Sequence, residues 1–389
     1  MKIVYCIPSL YNSGGMERVL SNKANYLADI RGSEVVIITT EQQHRKPFFH
    51  FSEKIIFYDL SINYTAIQKY SVLKRFYWEL LYKKKHKKKL SCLLKKLHAD
   101  IVISMFAGEE YFLYRINDGS KKVLEIHFSK YFREQRNRKG IWKGIDWFKS
   151  HVDEYIVRQY AAFVVLTNED KSYWGDWPNI HVIPNGYTKM ENGELSNERK
   201  KQIVAVGRLV EQKGYDRLIA AWNLIALQLP DWKLQIYGEG ELYDELLEMV
   251  ESYKLLDSVE INAPVRDIHL VYQSSAILVM SSRYEGLSMV LIEAMNYGLP
   301  VIAFSSPCGP KDIISDGIDG FLVPDGDIHL LAEKILLLAQ NKKLRIQMGK
   351  SALIKAQVFS FDKIMKEWEK LFFSLCSVSL VSTQIRAQK

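Results

Sequence analysis

Cysteine is scarce. Four residues in 389, Cys6, Cys92, Cys308 and Cys376, stand at spacings that match no metal site. Reduced thiols, each a packing residue in a cytoplasmic protein, are the expectation. Long apolar runs are missing as well. No stretch reaches the ~20 residues needed to cross a bilayer. The apolar start of "MKIVYCIPSLYNSGGMERVL" is strand-length and broken at Pro8, so it is not expected to act as a signal peptide. The chain is therefore expected to be soluble or peripheral. Negative charge is in deficit, with 45 acidic against 53 basic side chains and a net charge of +8. That balance selects acidic partners: nucleic acid, anionic lipid headgroups or phosphorylated small molecules. A nucleic-acid recognition motif is also lacking, so nucleic acid is set aside as a partner.

What is present is the composition of a folded globular protein, 48% apolar and 25% charged. At this length two domains of roughly 150 to 200 residues each are expected rather than one core. Strand-like apolar runs alternate with helical or polar segments: "KIVYCIP", "EVVIITT", "IVISMF", "KVLEIHF", "AAFVVLT" and "HVIPNGY". A helix is expected in "MERVLSNKANYLADI" from the spacing of Val19, Leu20, Ala24 and Leu27. The pattern restarts with "QIVAVGRL", the helix "YDRLIAAWNLIALQL", "KLQIYGEG", the helix "ELYDELLEMVESYKLL", "VEINAPV", "AILVMSS", "PVIAF" and "GFLVP". Such alternation predicts parallel sheets covered on both faces. The expected architecture is α/β, with two doubly wound Rossmann-like domains, residues 1–186 and 187–360, facing across a cleft. Their joint falls near the polar "IPNGYTKMENGELSNERK".

In such sheets ligands collect beyond the carboxyl ends of the strands, so the loops after strands carry the candidate sites. In "SLYNSGGMERVL", Gly14 and Gly15 precede a helix whose backbone N–H groups and positive end suit an anion, with a plain turn as the other reading. In "VGRLVEQKGYDRLI", Gly207 leads into a loop that carries Arg208 and Lys213 ahead of Gly214 and a helix. Two cations and a helix start suit a diphosphate, Arg gripping it as a planar fork and Lys as a point charge; a solvated loop is the alternative. "YGEGELYDEL" sets Gly238 and Gly240 where a ligand can approach closely, with Glu239 open to the ligand or to helix capping.

The segment "SRYEGLSMVLIEAMNYGLPVIAF" places Glu285 and Glu293 around an apolar helix, opened by Gly286 and a Ser288 cap and stopped by Gly298 and Pro300. A buried carboxylate without a partner is unstable in its charged form, so both need partners. Eight helical residues rise about 12 Å. A ligand that presents hydroxyls to Glu285, phosphates to the helix start and further hydroxyls to Glu293 fits that ruler, and a nucleotide sugar has those parts in that order.

Together, "EGLSMVLIEAMNYGLPVIAF", "GRLVEQKGYDRLI", "IYGEGELYDEL", "VIPNGY" and "IPSLYNSGGMERVL" make the chain resemble the retaining glycosyltransferases of family 4, which have the GT-B fold, over nearly its whole length. The resemblance implies that Glu285 contacts the donor sugar and Glu293 the ribose hydroxyls. It implies that backbone amides around Gly286, Leu287, Ser288 and Met289 meet sugar and phosphate, and that Arg208 and Lys213 bind the diphosphate. Val265 and Arg266, in "NAPVRDI", are implied to frame the base, and Gly14 and Gly15 to lie in a loop that closes over the donor. His127, in "EIHFSKYF", is implied to stand near the reacting sugar; read by itself, it is either functional or a satisfied packing residue. The implied catalytic set is Glu285, His127, Arg208 and Lys213, with Gly207 and Glu239 added to the donor-binding set. A final helix over 361–376 is implied to cross back onto the first domain.

The implied reaction moves a sugar from a nucleotide diphosphate to an acceptor hydroxyl with retention, without a carboxylate nameable as a covalent nucleophile. Fixed cations and amides would stabilise the leaving diphosphate, and domain closure would expel water. No metal cofactor is expected, because "PDGD" imitates an Asp-x-Asp metal signature yet reads as a turn after "GFLV". Two stretches mix cations with aromatics: "YKKKHKKKLSCLLKKLHAD", whose run Lys83 to Lys89 follows Tyr77, Trp78 and Tyr82, and "KYFREQRNRKGIWKGIDWF". They suit an anionic membrane surface, with solvated helix faces as the alternative. The expected partners are a nucleotide-sugar donor and a glycan or polyprenyl-diphosphate-linked acceptor of surface polysaccharide, capsule or lipopolysaccharide synthesis. "SSPCGPKDIISDGIDGFLV" leans toward UDP-hexose or UDP-N-acetylhexosamine donors. The alternatives are a GDP-mannose-dependent mannosyltransferase, a nucleotide-sugar epimerase of the same architecture and a catalytically idle binding subunit.

Overall fold

The computed structural model describes residues 1–106, 108–133, 140–188, 199–265 and 267–387. They form two compact units: Met1–Val165 with Lys171–Ile183 and the C-terminal segment from Met365, and Leu166–Asp170 with Pro184–Ile364. Most of the expected joint, residues 189–198, lies outside the described residues.

The first unit is built on seven parallel strands, β1 (Lys2–Ile7), β2 (Glu34–Thr39), β3 (Ile56–Asp59), β4 (Ile101–Ser104), β5 (Lys121–Glu125), β6 (Ala162–Val165) and β7 (Ile180–Val182). Their order across the sheet is β3-β2-β1-β4-β5-β6-β7. Register runs Ile3 against Val35 on one side and Ile3 against Ile101 on the other. The strands read as near-continuous apolar runs because helices cover both faces. Val4, Val36, Val102 and Leu124 pack with Leu90 and Leu94 of the helix Val72–Leu97. β3 is the strand that the sequence reading omits. It is a four-residue edge strand with all its side chains exposed, so it carries no burial signature.

The second unit holds six parallel strands, β8 (Gln202–Val206), β9 (Lys233–Tyr237), β10 (Val259–Asn262), β11 (Ile277–Met280), β12 (Val301–Phe304) and β13 (Gly320–Val323), in the order β10-β9-β8-β11-β12-β13. One face packs Ile203, Leu234 and Ile277 against Leu218 and Trp222 of the helix Tyr215–Ile225. The other packs Val204, Leu278 and Met280 against Leu291, Ala294 and Met295. In each sheet the strand order reverses beside the first strand, between β1 and β4 and between β8 and β11. These are the switch points where such sheets bind ligands.

Several helix ends differ from the sequence reading. The helix of "ELYDELLEMVESYKLL" is Tyr243–Ser252, and the helix after Gly15 runs to Asn25 before a π-helical turn, Tyr26–Ile30. The last helix spans Phe361–Ala387 and buries Met365, Trp368 and Phe372. The cysteines divide: Cys6 and Cys308 are buried, Cys376 is half-buried and Cys92 is exposed. Cys92 is therefore no packing residue, because it lies on the solvent face of its helix between the buried Leu90 and Leu94. In "PDGD", Asp325 pairs with Arg217 at 2.8 Å and the Asp327 carboxylate caps the helix Ile328–Gln340 by accepting from the Leu330 N–H.

Candidate active site

The reversal of strand order sets the loop after β8 beside the loop after β11, and their contact is close. Gly214 has φ +63°, and a Cβ there would collide with the Ser281 carbonyl oxygen. Ser281 Oγ donates to the Lys213 carbonyl at 2.9 Å, the Arg283 N–H to the Gln212 carbonyl at 2.8 Å, and Gln212 Nε2 to the Tyr284 carbonyl at 3.0 Å. This backbone lattice brings Lys213 to Glu285. Glu285 Oε1 accepts from Lys213 Nζ at 2.7 Å and from Ser282 Oγ at 2.6 Å, in a residue only 8% exposed. The buried carboxylate thus has its counter-charge, without which burial would be strongly unfavourable. Glu293, 5% exposed, lies within the helix Met289–Asn296 and accepts from the Tyr272 hydroxyl at 3.1 Å. Since the helix begins only at Met289, half of the interval between the two glutamates is loop, and the ruler is not a straight helical rise.

Ser288 holds the N-cap position but makes no side-chain cap bond, which corrects the sequence reading. Its buried Oγ has no hydrogen-bond partner among the described residues. Gly309, at φ +99°, packs closely against it: a Cβ there would lie 3.1 Å from Ser288 Oγ and 3.2 Å from the Ser288 N. The Tyr215 hydroxyl is likewise buried without a partner among the described residues. Burial, then the Glu285 carboxylate, push that hydroxyl above the ordinary tyrosine range. A Cβ on Gly207 would stand 3.0 Å from it.

The other candidates are placed less centrally. Arg208 is exposed and pairs with no carboxylate among the described residues, whereas Lys213 is paired with Glu285. Gly238 and Gly240 serve the protein's own backbone, since a Cβ on either would strike the carbonyl oxygen of Gly207 or Leu209. Glu239 is exposed and caps nothing, because the next helix starts at Tyr243 behind Leu242. Gly286, Leu287 and Met289 surround the helix start as expected from the motif. Val265 is exposed, and Arg266 lies outside the described residues. Among the described residues no three His, Cys, Asp or Glu side chains cluster as metal ligands do.

In the first unit Gly14 is the N-cap of the helix Gly15–Asn25. The Glu17 carboxylate folds over that helix end, where a Cβ on Gly14 would meet it, so a negative side chain already occupies the place expected for an anion. His127 lies two residues beyond the end of β5, with a buried ring whose Nε2 is 3.1 Å from Glu125 Oε1. The distance is that of a hydrogen bond but the angle is not, and neither ring nitrogen has a partner among the described residues. Glu125 is fully buried and both its oxygens accept from Lys23 Nζ at 2.7 Å. Burial pushes the Glu125 carboxyl up, but Lys23 and His127 outweigh it and hold it down to about 2. Lys23, pushed down by burial, sits over the Trp368 ring, 3.5 Å from its centre. Lys23 and Glu125 escape a reading for functional residues. The only local signals are a lysine on the buried stripe of Val19 and Leu27, and a Glu two places before His127.

Residues 187–354 match the family model described as glycosyl transferases group 1, and residues 13–188 the model described as Glycosyltransferase Family 4. An uncharacterized glycosyltransferase of Haemophilus influenzae is 31% identical over 374 residues, 95% of this chain and 99% of its own. An alpha-1,4-N-acetyl-D-galactosaminyltransferase of Campylobacter jejuni, named for a PP-undecaprenol-linked substrate, is 29% identical over 95% of this chain and 98% of its own. A solved structure of the pneumococcal O-GlcNAc transferase GtfA, in complex with UDP and GlcNAc, shares the fold with a TM-score of 0.71. It covers 96% of this chain and 99% of that one at 15% identity.

Proposed function

The chain belongs to the family 4-type GT-B glycosyltransferases, hexosyl-transferring enzymes, and from that premise we propose that it moves a hexosyl or N-acetylhexosaminyl group from a UDP-sugar, with retention, to a hydroxyl of a glycan or lipid-linked glycan. The observation that carries the reading is the Lys213–Glu285 pair beside a helix start whose Ser288 hydroxyl has no hydrogen-bond partner among the described residues. Lys213 and Glu285 hold each other until a donor arrives. The diphosphate then shares the Lys213 ammonium, and a sugar hydroxyl donates to the Glu285 carboxylate. As the bond to the sugar breaks, charge grows on the leaving phosphate. Lys213, Arg208, the Ser288 hydroxyl and the backbone N–H groups at the helix start stabilise it, in a site already organised for that charge. Glu293, oriented by Tyr272, takes the ribose hydroxyls.

Gly14 and Gly15 meet the donor through a hydroxyl rather than a phosphate, since Glu17 shares their helix end. His127 meets the reacting sugar. No metal or other cofactor enters this scheme, as side-chain cations and amides supply the positive charge. A UDP donor and a lipid-linked acceptor are favoured by the UDP bound to GtfA and by the acceptor for which the C. jejuni enzyme is named.

An anionic membrane surface is the partner that suits such an acceptor. The helix Val72–Leu97 exposes Phe76, Tyr77 and Leu80 together with Lys84, Lys85 and Lys88, and the helix Ile141–Val157 exposes Trp147 and Phe148. Tyr111 links the two helices: Lys83 Nζ lies 5.1 Å from its ring centre, and its hydroxyl donates to Asp153 at 3.3 Å. Residues 134–139 of the second basic stretch lie outside the described residues.

A panel of UDP- and GDP-sugars tests the reading by thermal shift and nucleotide release. At least one UDP-sugar is expected to raise the melting temperature and be turned over, and Lys213→Met to slow turnover about a hundredfold or more. If no nucleotide sugar binds or turns over, the proposal fails.

A further inference from the structure

We infer that Glu125 is the positioning residue for His127, held in place by Lys23 and, through Trp368, by the C-terminal helix. The inference rests on the role proposed above for His127 and deepens it. Buried ion pairs contribute little net stability compared with apolar side chains of the same volume. Stability therefore does not account for a fully buried pair such as Lys23 and Glu125. Its place does. β5 ends at Glu125, and the Ile126 N–H continues the ladder to the Val164 carbonyl at 3.1 Å. Two residues apart along such a segment, Glu125 and His127 fall on one face.

The Glu125 carboxylate is thus 3.1 Å from the Nε2 of His127 while Lys23 clamps it through both oxygens. Tyr5 of β1 is its other titratable neighbour, with a hydroxyl raised by burial and by Glu125 itself. A small rotation of the imidazole completes the bond in which Nε2–H donates to Oε1. Nδ1, buried and without a partner among the described residues, is then the ring atom left to meet a sugar hydroxyl. Lys23 in turn is backed by the indole of Trp368, a cation–π contact that ties the last helix to this network.

The test uses the full-length enzyme with two variants. Lys23→Met/Glu125→Met replaces the pair by apolar side chains and leaves no lone buried charge. Glu125→Asp keeps the charge but withdraws it from the ring by one methylene. Both are expected to remain folded, to lower kcat about tenfold or more, and to leave the donor KM within about twofold. Nitrogen-15 spectra of histidine-labelled protein are expected to show a protonated His127 Nε2 in the native enzyme and displaced ring signals in each variant. Adding His127→Ala to either variant is expected to lower kcat no further than His127→Ala alone, because the pair acts through that ring. Unchanged ring signals in a folded variant, or losses that multiply in the combined variants, overturn the inference. If the ring signals move while His127→Ala keeps full kcat, the positioning stands and the reaction role given to His127 falls.

Discussion

His86 lies in the middle of a run of lysines and is nonetheless buried, with Nδ1 3.1 Å from the Tyr64 hydroxyl and its ring edge-on to Phe112. Burial lowers its pKa from 6.5 to about 4. Between those values the unfolded chain takes up a proton that the folded protein refuses. Stability is therefore fully present above about pH 6.5 and falls as the pH drops toward 4, by up to about 3 kcal/mol. Urea unfolding at pH 7 and pH 4.5 is expected to show this loss, and His86→Gln to remove most of it; an equal slope in both proteins would refute the assignment. Glu125 acts lower on the scale. Its carboxyl, held down to about 2 by Lys23 and His127, stays ionised well below its ordinary pKa of 4.5. Both residues stand in plain view in the sequence, but their environments do not. The Lys23 that holds Glu125 is 102 positions away, and the Lys213 that holds Glu285 is 72 away.

The elements were legible where burial is two-sided. Apolar strand runs and helical spacing located both sheets, whereas β3, exposed at an edge, left no such pattern. Glycines were less legible, because a glycine required by a ligand and one required by a neighbouring backbone look alike in sequence. Gly238 and Gly240 turned out to be of the second kind. Gly214 combines a positive φ with a clash against the Ser281 carbonyl, so Gly214→Ala must push apart the loops that present Lys213 and Glu285. We expect it to destabilise the fold by ~1–3 kcal/mol in urea and to impair nucleotide-sugar binding. Gly15→Ala is the control for stability alone. With nothing within 4 Å of the added Cβ, it is expected to be neutral or to stabilise by about 0.4–1 kcal/mol.

Taken whole, the chain is two sheets of similar plan with different surfaces. No helix among the described residues is long and apolar enough to cross a membrane, yet the first unit concentrates exposed aromatics and lysines on two helices linked through Tyr111. Sedimentation with vesicles rich in anionic lipid is expected to pull the protein down at low salt and less so at high salt. Replacing Lys84, Lys85 and Lys88 by Gln is expected to weaken that binding about a hundredfold, at ~1 kcal/mol per cation, and Trp147→Ala/Phe148→Ala to weaken it without changing the melting temperature. Binding that ignores both lipid charge and these substitutions would argue for plain solvated faces. The sequence by itself determined the α/β class, the two-part layout and the motif positions, because buried runs, helical periodicity and glycine-marked loops are local properties. Only the tertiary structure decided the partnerships, Lys213 with Glu285, Tyr272 with Glu293, and Lys23 with the Glu125 beside His127. Strand order at the switch points and helix packing against the sheets bring those groups together, and neither is written in the spacing of any one segment.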